Sequence, residues 1–247
     1  MIKNIFSTAI LAFGFTAQAH FQIIKPDVII TEGKAINIDL IFTHPMALEH
    51  TMEMGIPQGF SVLTKGIKTD LIDSIEASKF NGKTIYKTKY RPKSPGDLVF
   101  SLTPAPFYEK AEEMYIQQHS KVVVNAFGEC VGWGAETGTD VEIVPLVRPY
   151  GLWTGMIFRA KVLVKGQPLK NAEVEVEYWN EGGTTQTPGD IYDNQVIVTD
   201  DNGIFTFALP KAGWWGFAAL DCVEGSTHKG KKLSVDGVMF VKCMDVK

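Results

Sequence analysis

The chain has 247 residues, 45% of them hydrophobic and 11% aromatic, with 24 Lys+Arg against 28 Asp+Glu and a formal charge of −4. That mild acidity offers no basic footprint for a nucleic acid, which the reading therefore excludes as a partner. The length suffices for one large β domain or for two of about 110 residues, each with a real core.

The first element is read as a processing segment, residues 1–19. Lys3 gives a short positive region, and Ile5 to Ala17 is an apolar run broken by Ser7, Thr8 and Thr16. Ala17-Gln18-Ala19 then follows the small-x-small cleavage pattern of a signal peptide. A membrane-spanning helix wants about 20 apolar residues; this run is shorter and contains Gly14. The expected mature chain is secreted to the periplasm and begins at His20. It loses Lys3 and no acid, so its charge moves from −4 to −5. The cut frees an α-amino group, of reference pKa about 7.7–8.0, on the residue that also carries an imidazole. Two nitrogens so joined grip one transition-metal ion.

From here the chain reads as strands and turns. Phe21–Ile24, Val28–Thr31 and Ala35–Phe42 are β-rich, and the last alternates Ile36, Ile38 and Leu40 with Asn37 and Asp39. Residues 43–59 form a loop rich in Met and His, after which strands are expected at Phe60–Thr64, Thr84–Tyr90 and Asp97–Leu102. Pro106–Gln118 is the one expected helix, with Tyr108, Ala111, Met114 and Tyr115 as its apolar side. Lys121–Phe127 reads as a strand buried on both faces, with Val141–Val147 as its neighbour.

Two breakers at Arg148-Pro149-Tyr150-Gly151 mark the expected domain boundary, giving residues 20–147 and 148–247. The second unit is again β: Met156–Val164, then Ala172–Tyr178, whose strict alternation implies one buried and one wet face. On that pattern Glu173, Glu175 and Glu177 form a solvated face. Val196–Thr199 and Ile204–Leu209 are expected to form a hairpin through Asp200-Asp201-Asn202-Gly203. Trp214–Leu220 and Val238–Val241 close the unit. Among Cys130, Cys222 and Cys243, the simple arithmetic for a secreted chain is one disulfide and one free thiol. Cys222 with Cys243 is the first choice; the alternative is three buried thiols acting as small hydrophobes.

Chemistry concentrates in the loop after the strand at Ala35. His44, Met46, His50, Met52 and Met54 place two imidazoles and three thioethers within eleven residues. Imidazole suits nickel, copper and zinc, whereas thioether sulfur favours Cu(I). The amine and imidazole of His20, with His44 and His50, supply a nitrogen set suited to tetragonal Ni(II) or Cu(II). The methionines also have a plainer reading as core gap fillers. His119 is read either as an ordinary hydrogen-bonded histidine or as a remote ligand folded back on the site. His228, beside Lys229, Lys231 and Lys232, is read as a solvated loop residue, because nearby cations repel a metal ion. No P-loop, G-x-S-x-G, H-E-x-x-H or C-x-x-C is present, and nothing pairs a nucleophile with a base. Trp153, Trp214 and Trp215 cluster near the boundary and are read as packing between units, or else as the wall of a ligand pocket.

These pieces resemble the periplasmic nickel-binding proteins of the NikK type, which accompany energy-coupling-factor or TonB-linked nickel importers. The resemblance rests on Phe42-Thr43-His44-Pro45-Met46, Met52-Glu53-Met54, the run from Lys121 to Gly128, the run from Val144 to Trp153, and Gly213 to Leu220. It implies an all-β protein of two β-sandwich domains, immunoglobulin-like and then prealbumin-like. Such a protein binds Ni(II) and passes it to a membrane importer, without catalysis. His20 and His44-Pro45-Met46 match the family's metal site, whereas His50 comes from the local argument and His119 stays outside the match. A metal-linked homodimer fits the same reading.

The rivals are a copper-binding protein using the Met/His loop, a copper oxygenase built on an N-terminal histidine, and a metal-free adhesive or carbohydrate-binding sandwich using its tryptophans.

Overall fold

The structure, a computed structural model, describes residues 20–246; the expected leader lies outside them. The first part of the chain gives β1 (Phe21–Pro26), β2 (Ile30–Thr31), β3 (Ile36–Thr43), β4 (Gly59–Thr64), β5 (Ile67–Asp70) and β6 (Glu76–Phe80). It continues through β7 (Lys83–Tyr90), β8 (Gly96–Thr103), β9 (Phe107–Glu109), β10 (Met114–Ala126) and β11 (Val141–Pro145). The remainder gives β12 (Leu152–Trp153), β13 (Ile157–Val164), β14 (Gln167–Pro168), β15 (Glu173–Tyr178) and β16 (Asn194–Val198). Last come β17 (Ile204–Ala208), β18 (Gly213–Ala219), β19 (Thr227–His228) and β20 (Lys231–Met244). Helical turns among the described residues are single short 3₁₀ pieces such as Leu48–His50. The protein is all-β, as its alternating runs imply.

The expected helix at 106–118 is instead the β9–β10 hairpin. Tyr108 pairs with Tyr115 and Phe107 with Ile116, and the two tyrosine rings lie 5.1 Å apart. The apolar spacing of Tyr108, Ala111 and Met114 suggests a helix, yet Ala111 is exposed at the turn. Aromatic cross-strand pairs prevail over that weak helical stripe.

Three sheets result. β1-β3-β7-β6 forms the first, and β13 with β11, β14 and β17 forms the third. Between them runs a large sheet ordered β16-β15-β18-β20-β10-β8-β4-β5, with β2, β9, β12 and β19 at its margins. The pairing that joins the halves is parallel, β10 against β20 from Tyr115↔Leu233 to Lys121↔Met239. The two sandwiches therefore share one sheet.

The sharing corrects three expectations. β11 pairs with β13 and not with β10, so the chain enters the second half's sheet one strand before Arg148. β16 pairs with β15 while β17 pairs with β13, so the turn at 200–203 carries the chain between sheets and makes no hairpin. Asp200 Oδ1 accepts the backbone N–H of Asn202 and of Ile204, each at 2.8 Å, which tightens this corner.

Successive residues of β18 show how the layers stack, because neighbours in a strand point to opposite faces. Phe217 meets the third sheet, its ring 4.7 Å from that of Phe158. Gly216 faces the other way, where a Cβ would stand 2.4 Å from the Phe240 ring and 3.0 Å from that of Phe21. Glycine there lets β1 lie down on the large sheet, next to the start of the chain's candidate site.

The cysteines do not pair. The Cys222 N–H donates to the carbonyl of Val235 at 3.1 Å, and Cys243 lies eight residues farther along β20. At about 3.3 Å per residue that is roughly 26 Å, whereas a disulfide needs Cα atoms within about 7 Å. Cys222 and Cys243 are buried as small hydrophobes, and Cys130 is exposed. Trp214 and Trp215 are buried, as the packing reading has it, while Trp153 is 55% exposed.

Candidate metal centre

The register of β1 on β3 builds the site. Phe21 is paired with Thr43 and Gln22 with Phe42, so the next residue outward on each side, His20 and His44, stand across from one another. On one face of this pair His20, Gln22, Phe42 and His44 follow in order, since side chains two apart share a face.

His20 and His44 have ring centres 4.5 Å apart, and His50 is 5.7 Å beyond His44. Two imidazoles bound to one ion at about 2.0 Å have ring centres roughly 4.5–5.2 Å apart for bond angles near 90–110°. Among the described residues, no three His, Cys, Asp or Glu side chains form a group that could hold a metal ion. His20 and His44 are neighbours at a spacing that two imidazoles on one ion can share, with His50 farther out.

The loop that carries two of them is braced. Thr51 Oγ1 donates to the Leu48 carbonyl at 2.6 Å, and Asn81 Nδ2 reaches the same carbonyl at 2.7 Å. The Met52 N–H donates to the Phe42 carbonyl at 2.8 Å, returning the chain to β3. Beyond the loop the second half takes hold: the Asn180 N–H donates to the Pro45 carbonyl at 2.9 Å and its Nδ2 to the Met46 carbonyl at 3.2 Å.

Electrostatics favour neutral imidazoles. Burial lowers the pKa of His44 to about 4, and the like charges of His20 and His50 push in the same direction. Burial also lowers His20, opposed by the nearby Glu109 carboxylate. His44 Nδ1 is buried and has no hydrogen-bond partner, which a native structure rarely leaves unexplained. A neutral imidazole with an unpartnered nitrogen has the donor chemistry that a borderline divalent metal takes.

Glu109, which the expected helix concealed, completes the picture. Its Oε2 lies 3.2 Å from His20 Nε2. A carboxylate on one ring nitrogen fixes the tautomer and leaves the other nitrogen for a metal, a recurrent arrangement around ligating histidines. Here the free nitrogen is Nδ1, the one that closes a chelate with an amine on the same residue. The alternation of Phe107 and Glu109 against Met114, Ile116 and Gln118 was the available signal for this hairpin.

The methionines do not gather at the imidazoles. Met54 is buried in the core, with its Sδ 3.6 Å from Gln22 Nε2. Met52 packs against the core, and Met46 lines a separate cleft with Lys25, Phe80 and Trp179. His119 lies elsewhere: it neighbours Gln118, whose side chain accepts the Gln22 N–H at 2.7 Å, so its own ring points to the opposite face. There it meets Thr103 at 3.3 Å and feels Asp140 and Glu142, which removes it from this ligand set. His228 is half-buried, its ring 4.6 Å from that of Tyr115.

The expected wet face of β15 is also corrected. Glu175 and Glu177 are 9% and 4% exposed, and the loop after β3 reaches Glu177, whose Oε1 accepts the Met46 N–H at 3.1 Å. Burial, then Asp236 and Glu173, push Glu175 from the ordinary carboxylate range up to about 7. A folded pKa raised this way favours the protonated native form, so stability falls as pH rises from about 4.5 through about 7. Glu175→Gln is expected to remove part of that loss, adding about 1–2 kcal/mol at pH 8. At pH 4 it should change little. Urea melts at the two pH values check this, and an equal loss of stability at both would refute it.

Fold and site together define an all-β sandwich protein with an imidazole cluster at the start of its first described strand. The chain belongs to the family described as a domain of unknown function, DUF4198, whose profile matches residues 17–221. No curated protein matches it. Among solved structures it is similar to the D0-D1 domain of intimin, at 14% identity, covering 91% of this chain and 100% of that one with a TM-score of 0.24. The dimeric latent PorU of Porphyromonas gingivalis matches at 9% identity over 90% of this chain and 20% of that one, TM-score 0.25. The I9-I11 tandem of titin matches at 10% over 91% and 66%, TM-score 0.23. Likenesses this distant carry nothing toward function.

Proposed function

We propose that this protein captures Ni(II) in the periplasm and delivers it to a membrane nickel importer. The observation that carries the reading is the grouping of His20, His44, His50 and Glu109, with a buried, unpartnered His44 nitrogen. Release of the chain at Ala19 adds the His20 amine as a further nitrogen. Three or four nitrogens suit tetragonal Ni(II), and geometry must provide selectivity, because raw affinity follows the Irving–Williams order. The division into an immunoglobulin-like and a prealbumin-like half, and the importer as recipient, belong to the same reading through the resemblance.

Cu(II) is the second reading, since the same nitrogens serve it. The dispersal of Met46, Met52 and Met54 weakens the case for Cu(I). Calorimetry of the chain beginning at His20, titrated with Ni(II), Cu(II) and Cu(I) in turn, tests both. Nickel binding no tighter than millimolar sinks the main reading, and no bound metal at all favours the adhesive alternative. His44→Ala is expected to weaken Ni(II) binding by about 100-fold or more, roughly 2.7 kcal/mol; metal spectra unchanged from the parent would remove His44 from the shell.

A further inference from the structure

Where the loop after β3 meets the second half of the chain, the two halves leave a cleft of about 530 Å³ between them. One wall comes from β1, β3 and the loop, through Lys25, Asp39, Met46 and Leu48, and the other from Trp179 to Gly183, just beyond β15. Phe80, at the end of β6, also lines it. Gly182 and Gly183, both at positive φ, leave their side of the rim without side chains. The volume falls in the range of small-molecule sites, roughly 300–1,000 Å³.

One lining group lacks a partner. Trp179 is 4% exposed, and among the described residues its Nε1–H has no acceptor, which a native structure rarely leaves unexplained. The Phe80 ring centre lies 6.5 Å from that of Trp179, and Lys25 Nζ stands 5.6 Å from the same ring. The lysine also pairs with Glu181 at 3.4 Å. An aromatic pair, an ammonium and a carboxylate thus meet from three separate parts of the chain.

Charge selects the ligand. The lining sets Lys25 against three carboxylates, Asp39, Glu49 and Glu181, which disfavours an anion. The lysine ammonium already holds the place over the Trp179 ring that a ligand cation would take, and it repels one. A neutral molecule remains. It must donate to the carboxylates, accept from the lysine and the indole N–H, and lay an apolar face on the half-buried Met46, Leu48 and Phe80. A sugar does all three through its hydroxyls and its C–H face. We propose that this cleft binds a carbohydrate of one or two rings. The tryptophan that serves is Trp179, not Trp153, Trp214 or Trp215, and the inference stands apart from the nickel reading.

Calorimetry and saturation-transfer NMR on the chain beginning at His20, with glucose, galactose, mannose, N-acetylglucosamine, maltose and cellobiose, test it. At least one of these is expected to bind with a Kd of about 1 mM or tighter. Glu181→Ala and Trp179→Phe are each expected to weaken that binding by about fivefold or more, the usual worth of one hydrogen bond. The Glu181 side chain is 71% exposed, so its variant keeps the fold, and the melting temperature checks the same for Trp179→Phe. No binding of any of these sugars in the millimolar range overturns the inference. So does an affinity within about twofold of the parent's in Glu181→Ala, which would put the sugar elsewhere on the protein. Binding of putrescine in their stead, weakened by Glu181→Ala, would make the cleft a site for organic cations and overturn it as well.

Discussion

One additional residue ahead of His20 is expected to weaken Ni(II) binding by at least 100-fold, roughly 2.7 kcal/mol. The amine then becomes an amide, which no longer offers a free lone pair, and the chelate with Nδ1 is lost. The geometry makes this specific. Glu109 sits 3.2 Å from Nε2 of His20, so the ring offers its other nitrogen on the side of its own backbone. The comparison is between a chain starting at His20 and one carrying a single alanine before it, both measured by calorimetry. Equal affinities would exclude amine ligation and leave His44, His50 and the His20 ring as the nitrogens. The native start is established by intact mass of the secreted protein, with its metal content measured on the same sample. Because ligand nitrogens must be deprotonated, affinity should fall as the medium is acidified through the imidazole and amine range.

Glu142→Ala is expected to destabilise the protein by about 3–5 kcal/mol, the usual result of stripping one partner from a buried ion pair. Lys121 on β10 and Glu142 on β11 are 2% and 4% exposed and in direct contact. The Glu142 carboxylate also accepts the N–H of Thr137 at 2.6 Å, its hydroxyl at 2.9 Å, and the Gly138 N–H at 3.3 Å. Lys121 Nζ completes the group by donating to the Ala135 carbonyl at 3.2 Å. Burial pulls the lysine's pKa down and Glu142 pulls it up, so removal of the carboxylate strands a lysine in a dry layer between the large sheet and the third. Guanidinium unfolding gives the number, and a loss under about 1 kcal/mol would show that water or a neighbour replaces the carboxylate. Combining it with Lys121→Met should recover most of the stability, because the apolar replacement of both partners is often neutral.

Part of this was legible in the residues. The alternation of Ile36, Ile38 and Leu40 placed β3, and that of Val174 and Val176 placed β15, because a period of two is a local property of a half-buried strand. His20, His44 and His50 were marked by their chemistry and short separations. The same local reasoning failed where a partner strand decides. It made a helix of residues 106–118 and so missed Glu109, since only pairing with β10 makes Phe107–Glu109 a strand. It assigned Glu175 and Glu177 to water, since period two reports that the faces differ and cannot say that the second face is buried as well.

By itself, then, the sequence determined the all-β class, most strand positions and the imidazoles that cluster near the chain's expected mature start. The tertiary structure decided which strands share a sheet, that β10 lies along β20, that Cys222 and Cys243 stand far apart, and that His119 faces away from His20. Those outcomes depend on pairings between separate strands, from Cys222 with Val235 to Tyr115 with Leu233, and no local periodicity encodes them.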